Sequence, residues 1–194
     1  MEAKKETTFT VRRLAVTGLM AALVFAGSWI QIPMPGETRL HLGNVMCLLS
    51  GFILGPVFGG LSAGIGSAFF DLTNPLYIDS LPFTLVFKFL MAFVAGLVAW
   101  GKNSQGRNWK RNVIGGILGV LCYVILYVGK NFIGDLFFLN MEMVPALLKA
   151  GQKGLASLIN AIIAVIASVP LAKGIRMGLD KAGISLNGSR RVHQ

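Results

Sequence analysis

Residues Leu81 to Trp100 read LPFTLVFKFLMAFVAGLVAW, twenty residues in which Lys88 is the one charge. A helix rises about 1.5 Å per residue and a bilayer's hydrocarbon core is about 30 Å thick, so this stretch is of spanning length. Similar runs lie on both sides of it: Leu14 to Ile32, Asn44 to Leu54 and Val57 to Leu72 before, Val113 to Leu139 and Gly154 to Ala172 after. Of the 194 residues 54% are hydrophobic and only 13% charged, where a soluble domain carries roughly a quarter charged. That balance excludes a water-soluble fold. The chain reads as an all-α integral membrane protein, a six-transmembrane-helix bundle forming one domain over residues 1–184, with 185–194 a flexible tail. The run 44–54 is too short to cross upright, so it reads as a short helix shielded by its neighbours.

The net charge is +10, and thirteen of the eighteen Lys and Arg residues fall in three segments. Lys4, Lys5, Arg12 and Arg13 stand at the start, and Lys102, Arg107, Lys110 and Arg111 in mid-chain. Lys173, Arg176, Lys181, Arg190 and Arg191 close the sequence. Basic segments between apolar runs mark the cytoplasmic side, which places both termini there. They form no stripe on a soluble face, so nucleic acid is not an expected partner. Cys47 and Cys122 both lie in apolar runs with no metal-ligand or disulfide spacing and read as small core residues.

Small residues recur every fourth position. Gly18, Ala22 and Ala26 do so on the first span, either to pack tightly within the bundle or to form a docking face for another membrane protein. Gly51, Gly55 and Gly59, then Gly60 and Gly64, then Gly115 and Gly119 read as internal helix packing. Gly60-Leu61-Ser62-Ala63-Gly64 matches the serine-hydrolase elbow pattern, but it lies in a helical run rather than at a strand-to-helix turn. No catalytic group is assigned.

Polar side chains inside spans are costly in hydrocarbon and by default mark a site. Counted from the outer ends of their spans, Lys88, Lys130 and Asn160 converge at a depth of about 10 to 14 Å. Asp71, Asn74, Asn131, Asp135 and Gln152 lie near the outer boundary. Tyr123 and Tyr127, one helical turn apart, offer aromatic faces with hydroxyls. With His41 in the polar loop Met34 to Leu42, these residues would line a pocket open to the outside. The bland alternative is that Lys88 and Lys130 snorkel to the interface, or pair with Asp71 or Asp135 to hold the bundle.

Four stretches carry a family resemblance: Arg12-Arg13-Leu14-Ala15-Val16-Thr17-Gly18-Leu19-Met20-Ala21-Ala22-Leu23-Val24-Phe25-Ala26, then Ile32-Pro33, Leu40-His41-Leu42-Gly43-Asn44, and Leu49-Ser50-Gly51-Phe52-Ile53-Leu54-Gly55-Pro56-Val57-Phe58-Gly59-Gly60. Together they resemble the S components of energy-coupling factor (ECF) vitamin transporters, in the riboflavin, pyridoxine and hydroxymethylpyrimidine group. The resemblance is strongest over the first half of the chain. It implies a subunit of a bacterial plasma membrane that captures a vitamin from outside. That subunit would dock on a transmembrane coupling protein driven by two ATPases.

In that family an Ala-(x)₃-Ala face on the first helix meets the coupling protein, and Ala22 and Ala26 match it, extended by Gly18. The first external loop acts as a lid over a ligand held by the outer parts of helices four to six. The expected substrate-binding residues are thus Lys88, Tyr127, Lys130, Asn131, Asn160, Asp71, Asn74 and His41. No Gly-x₄-Gly-Lys-Ser/Thr phosphate loop is present. No cofactor is therefore expected on this chain, and ATP would be hydrolysed by the partner subunits. The competing readings are an intramembrane enzyme using Asp71, Asp135 or His41, and a membrane assembly scaffold.

Overall fold

The computed structural model describes residues 11–34 and 38–183. The expected tail 185–194 lies outside them. Six α-helices run in order: α1 (Val11–Trp29), α2 (Gly43–Leu54), α3 (Pro56–Thr73), α4 (Leu81–Trp100), α5 (Trp109–Phe137) and α6 (Met143–Lys181). The fold is all-α and membrane-spanning. Stretches containing α1, α4, α5 and α6 are long and apolar enough to cross a bilayer, with mean hydropathies between 1.4 and 2.2. Helix α2, at 12 residues, is short, as its sequence implied.

Between α1 and α2, where the sequence predicts a polar loop, the structure has a hairpin. Strands β1 (Gln31–Met34) and β2 (Thr38–His41) form an antiparallel hairpin in which Gln31 faces His41 and Pro33 faces Arg39. The helix stops at Trp29 rather than at Ile32. Pro33 disfavours helical backbone at the residue before it, so the extended conformation begins ahead of the proline.

The chain also departs from expectation at α6. Residues 140–151 read as an external loop limited by Pro145, yet the helix begins at Met143. Pro145 is in the first turn, where backbone N–H groups have no intrahelical partner and a proline costs little. Basic residues then prolong α6 past the apolar run to Lys181.

Helix α2 is the centre of the molecule. Eleven of its 12 residues are buried, and Phe52, Leu48, Leu49, Ile53 and Leu54 are among the largest fully buried side chains. Glycines set how closely the neighbours approach. A Cβ on Gly51 would lie 2.5 Å from the Ala92 carbonyl oxygen, one on Gly59 2.6 Å from the Gly51 Cα, and one on Gly119 2.5 Å from the Met91 carbonyl oxygen. These glycines are internal packing, as their spacing suggested. Ser62, the centre of the elbow-like motif, donates to the Thr17 carbonyl on α1 at 2.9 Å. Its hydroxyl ties two helices together.

A short buried helix leaves its last carbonyls without intrahelical donors, a serious cost in hydrocarbon. Three side chains answer that need here. Arg13 Nη2 donates to the Leu54 carbonyl at 3.1 Å, Trp100 Nε1 to that of Phe52 at 2.9 Å, and Arg176 Nη2 to those of Phe52 and Ile53 at 2.7 and 3.2 Å. The cations also sit at the negative end of the helix dipole. Arg176→Met is expected to destabilise the protein by about 1.5–3 kcal/mol, read as a lower melting temperature in detergent. Ligand affinity should not change, because Arg176 lies at the end of α2 away from the hairpin. An unchanged melting temperature would mean that water satisfies those carbonyls.

Candidate functional site

The connections sort the two ends of the bundle. The hairpin, the turn Ile78–Ser80 and the α5–α6 junction share one end; Gly55, the segment Gly101–Asn108 and the end of α6 share the other. Among the described residues, Arg12, Arg13, Lys102, Arg107, Lys110, Arg111, Lys173, Arg176 and Lys181 gather at the second end. At the first lies a cavity of about 490 Å³, within the usual range for small-molecule sites.

Its floor is polar. Lys88, 4% exposed, donates to Asn44 Oδ1, and its ammonium lies 3.7 Å from the centroid of the Tyr123 ring. Neither alternative reading of Lys88 holds, because it does not snorkel and its bonded partner is a neutral amide. Asp135, the other proposed counter-ion, pairs with Lys149 at 2.9 Å and does not line the cavity.

The walls are aromatic. Tyr123 and Tyr127 stack with centroids 5.7 Å apart and planes 17° from parallel. Phe83 and Phe87 follow the same one-turn spacing on α4, with centroids 6.0 Å apart. Lys130 lies over the Phe83 ring at 4.9 Å. Asn131 accepts a hydrogen bond from Lys153 Nζ at 2.9 Å and donates to the Tyr127 carbonyl at 2.7 Å.

The hairpin closes one side. Asn160 on α6 engages the β2 backbone twice: its Nδ2 donates to the Arg39 carbonyl at 2.9 Å, and its Oδ1 accepts from the His41 N–H at 3.4 Å. Arg39 spreads its guanidinium over Tyr77 and Phe70, at 3.8 and 4.4 Å from their centroids. It lies 3.9 Å from Asp71 Oδ1. Gly43 is required beside it, since a Cβ there would approach His41 Nδ1 to 2.7 Å. The His41 ring is neutral, because burial first, then the charges of Lys88 and Arg39, hold its pKa well below the ordinary value. Its Nδ1 is buried with no hydrogen-bond partner among the described residues.

Seven of the eight residues expected at the site line this cavity: Lys88, Tyr127, Lys130, Asn131, Asn160, Asp71 and His41. Asn74 does not. Its Oδ1 accepts from the Leu76 N–H at 3.1 Å, which closes a local turn outside the cavity. Sequence reasoning missed Arg39, Asn44 and Lys153. The two-residue spacing of Arg39 and His41 would have placed them on one strand face, had the hairpin been foreseen. The stripe Gly18, Ala22 and Ala26 is exposed on α1, away from the inward-facing Thr17, Met20, Val24, Gly27 and Ser28.

A family model described as "ECF-type riboflavin transporter, S component" matches residues 8–177. The chain belongs to this family. An S component is the substrate-binding subunit of a vitamin transporter, and the match runs past the first half, where the resemblance was strongest, through nearly all of α6. A protein of Pyrococcus woesei described as "Uncharacterized protein in gap 3'region" is 30% identical over 130 residues, 64% of this chain and 86% of its own length. A UPF0397 protein of Streptococcus gordonii is 36% identical over 67 residues, 34% of this chain and 36% of its own length. In this S component the cavity at the hairpin end is the candidate vitamin site, and the exposed α1 stripe lies clear of it.

Proposed function

We propose that this S component captures, from outside the plasma membrane, a vitamin or vitamin precursor built on a flat heteroaromatic ring. The candidates are the riboflavin, pyridoxine and hydroxymethylpyrimidine classes. It then docks through Gly18, Ala22 and Ala26 on a transmembrane coupling protein whose two ATPase partners hydrolyse ATP. The observation that carries this reading is the cavity itself, in which paired aromatic side chains from α4 and α5 stand above buried amides and an ammonium. Aromatic walls match a ring system, and polar groups at the floor fix its orientation.

The test is native mass spectrometry, with an absorbance scan, of detergent-purified protein from cells grown in rich medium. A co-purifying small molecule of vitamin mass is the expected result, and absorbance in the blue would select the flavin class. A vitamin added at a hundred times its Kd should also raise stability by about 2.7 kcal/mol, visible as a higher melting temperature. Empty protein whose melting temperature no vitamin shifts would sink the proposal in favour of an assembly scaffold.

A further inference from the structure

A buried polar atom without a hydrogen-bond partner calls for an explanation, and a ligand is one. Among the described residues six buried side-chain atoms make no hydrogen bond, and two of these, His41 Nδ1 and Asp71 Oδ2, belong to residues that line the cavity. The His41 atom rests against the start of α2, where a Cβ on Gly43 would come within 2.7 Å of it. Asp71 is the better placed of the two to meet a ligand.

Asp71 stands near the end of α3 and is 2% exposed. Two groups approach its carboxyl without satisfying both oxygens. The Arg39 guanidinium, lying over the Tyr77 and Phe70 rings, stays 3.9 Å from Oδ1, beyond hydrogen-bond reach. Thr84 on α4 interacts with the carboxyl, and Oδ2 still has no partner among the described residues. Asp135 makes the contrast. It lies outside the cavity, and its Oδ1 accepts from Lys149 at 2.9 Å. A buried acceptor without a donor has lost its hydrogen bonds to water and gained nothing in return. The χ2 torsion of an aspartate is broad and roughly two-fold, so the carboxyl turns an oxygen to the cavity without any movement of α3.

We infer that Asp71 reads a hydrogen-bond donor on the ligand: an N–H, amino or hydroxyl group carried directly on the heteroaromatic ring donates to its carboxylate oxygen. This rests on the capture reading above and deepens it, because it names what the ring edge must present. Asp71 is then a specificity-determining residue. A site built to accept a hydrogen bond rejects an analogue of similar shape that lacks the donor, since the buried oxygen is left bare. Each class proposed above has such a group: the ring N–H of riboflavin, the ring hydroxyl of pyridoxine and the amino group of hydroxymethylpyrimidine.

Three pairs of ligands test this, each a parent and a derivative whose ring donor is blocked. They are riboflavin and its N3-methyl derivative, pyridoxine and its 3-methoxy derivative, and hydroxymethylpyrimidine and the analogue with methoxy in place of its amino group. Affinities are measured on the purified full chain in detergent. For whichever parent binds, the blocked derivative should bind about 10- to 100-fold more weakly, the worth of a hydrogen bond to a charged group. Asp71→Asn, of nearly the same shape, should shrink that gap, and Asp71→Ala should close it by weakening the parent alone. Melting temperatures check that both variants fold, and the comparison on the unaltered protein needs neither. A blocked derivative that binds the unaltered protein as tightly as its parent overturns the inference and leaves the capture reading standing. A gap that persists in Asp71→Ala overturns it as well, since another group then reads the donor. Should no parent bind, the capture reading falls and takes the inference with it.

Discussion

Replacing Ala22 or Ala26 with Leu is expected to nearly abolish vitamin uptake by cells while leaving the ligand affinity of the purified protein unchanged. On α1 the side chains of Thr17, Met20, Val24, Gly27 and Ser28 turn inward, whereas Gly18, Ala22 and Ala26 remain exposed. A Cβ built on Gly18 would meet nothing within 4 Å. Of the two readings the spacing allowed, the exposure of all three residues among the described residues favours a docking face over internal packing. In lipid, close backbone approach replaces hydrophobicity as the source of helix association, and small residues permit it. A Leu inserted there overpacks the contact by about 1–3 kcal/mol, a fall of about 10- to 100-fold in docking affinity. The protein itself should tolerate the change, since Leu is at home facing lipid. Normal uptake by both variants would mean that the stripe meets only lipid. A parallel loss of ligand binding would mean that it supports the fold.

The second large effect belongs to Lys88. Lys88→Met is expected to weaken ligand binding by about 10- to 100-fold and yet to leave the melting temperature of the empty protein equal or higher. Methionine nearly matches the lysine stem in length and removes a buried cation that pairs with an amide rather than a carboxylate. Replacing a buried charge with an apolar group of similar volume is often neutral or stabilising. The lost bond to Asn44 works against this and sets how far the gain extends. A site that holds an uncompensated charge is one where stability has been given up for function. A variant that melts lower and binds normally would identify Lys88 as a structural residue.

The helices were legible because lipid permits so few solutions: each backbone polar group must be satisfied within a helix, so every crossing writes itself as an apolar run. Lys88 was legible for the same reason, as the lone charge in its span. The side chains that receive it were not. Asn44 is 44 positions away, at the start of a helix whose burial on all sides appears only once four others pack around it. The hairpin was hidden by its brevity: two four-residue strands, one containing Pro33, give too little alternation to read.

With the hairpin unseen, Arg39 was passed over and Asn160 read as a substrate-binding residue rather than as the side chain that fastens a strand. Asn74 lies outside the cavity lining, and the turn-forming pair Asn74-Pro75 was a signal that its side chain folds onto its own backbone. Depth counting grouped residues that line one cavity, but it says nothing about the hydrogen bonds a side chain makes to its own turn.

The attachment of Asn160 to β2 bears on how fast the site can work. Two hydrogen bonds from one amide, worth about 0.5–1.5 kcal/mol each, and a guanidinium on two rings, at about 0.5–2 kcal/mol per contact, hold the hairpin down. A few kcal/mol corresponds to an open population of roughly 0.1–10%, renewed on the microsecond-to-second scale of loop motions. An empty site therefore admits solute without waiting for a large rearrangement. Once a ligand bridges the hairpin to the helices, its own contacts must break before the hairpin lifts. Were the hairpin to lift as a lid, entry would follow the free protein's fluctuations and residence the ligand's own contacts.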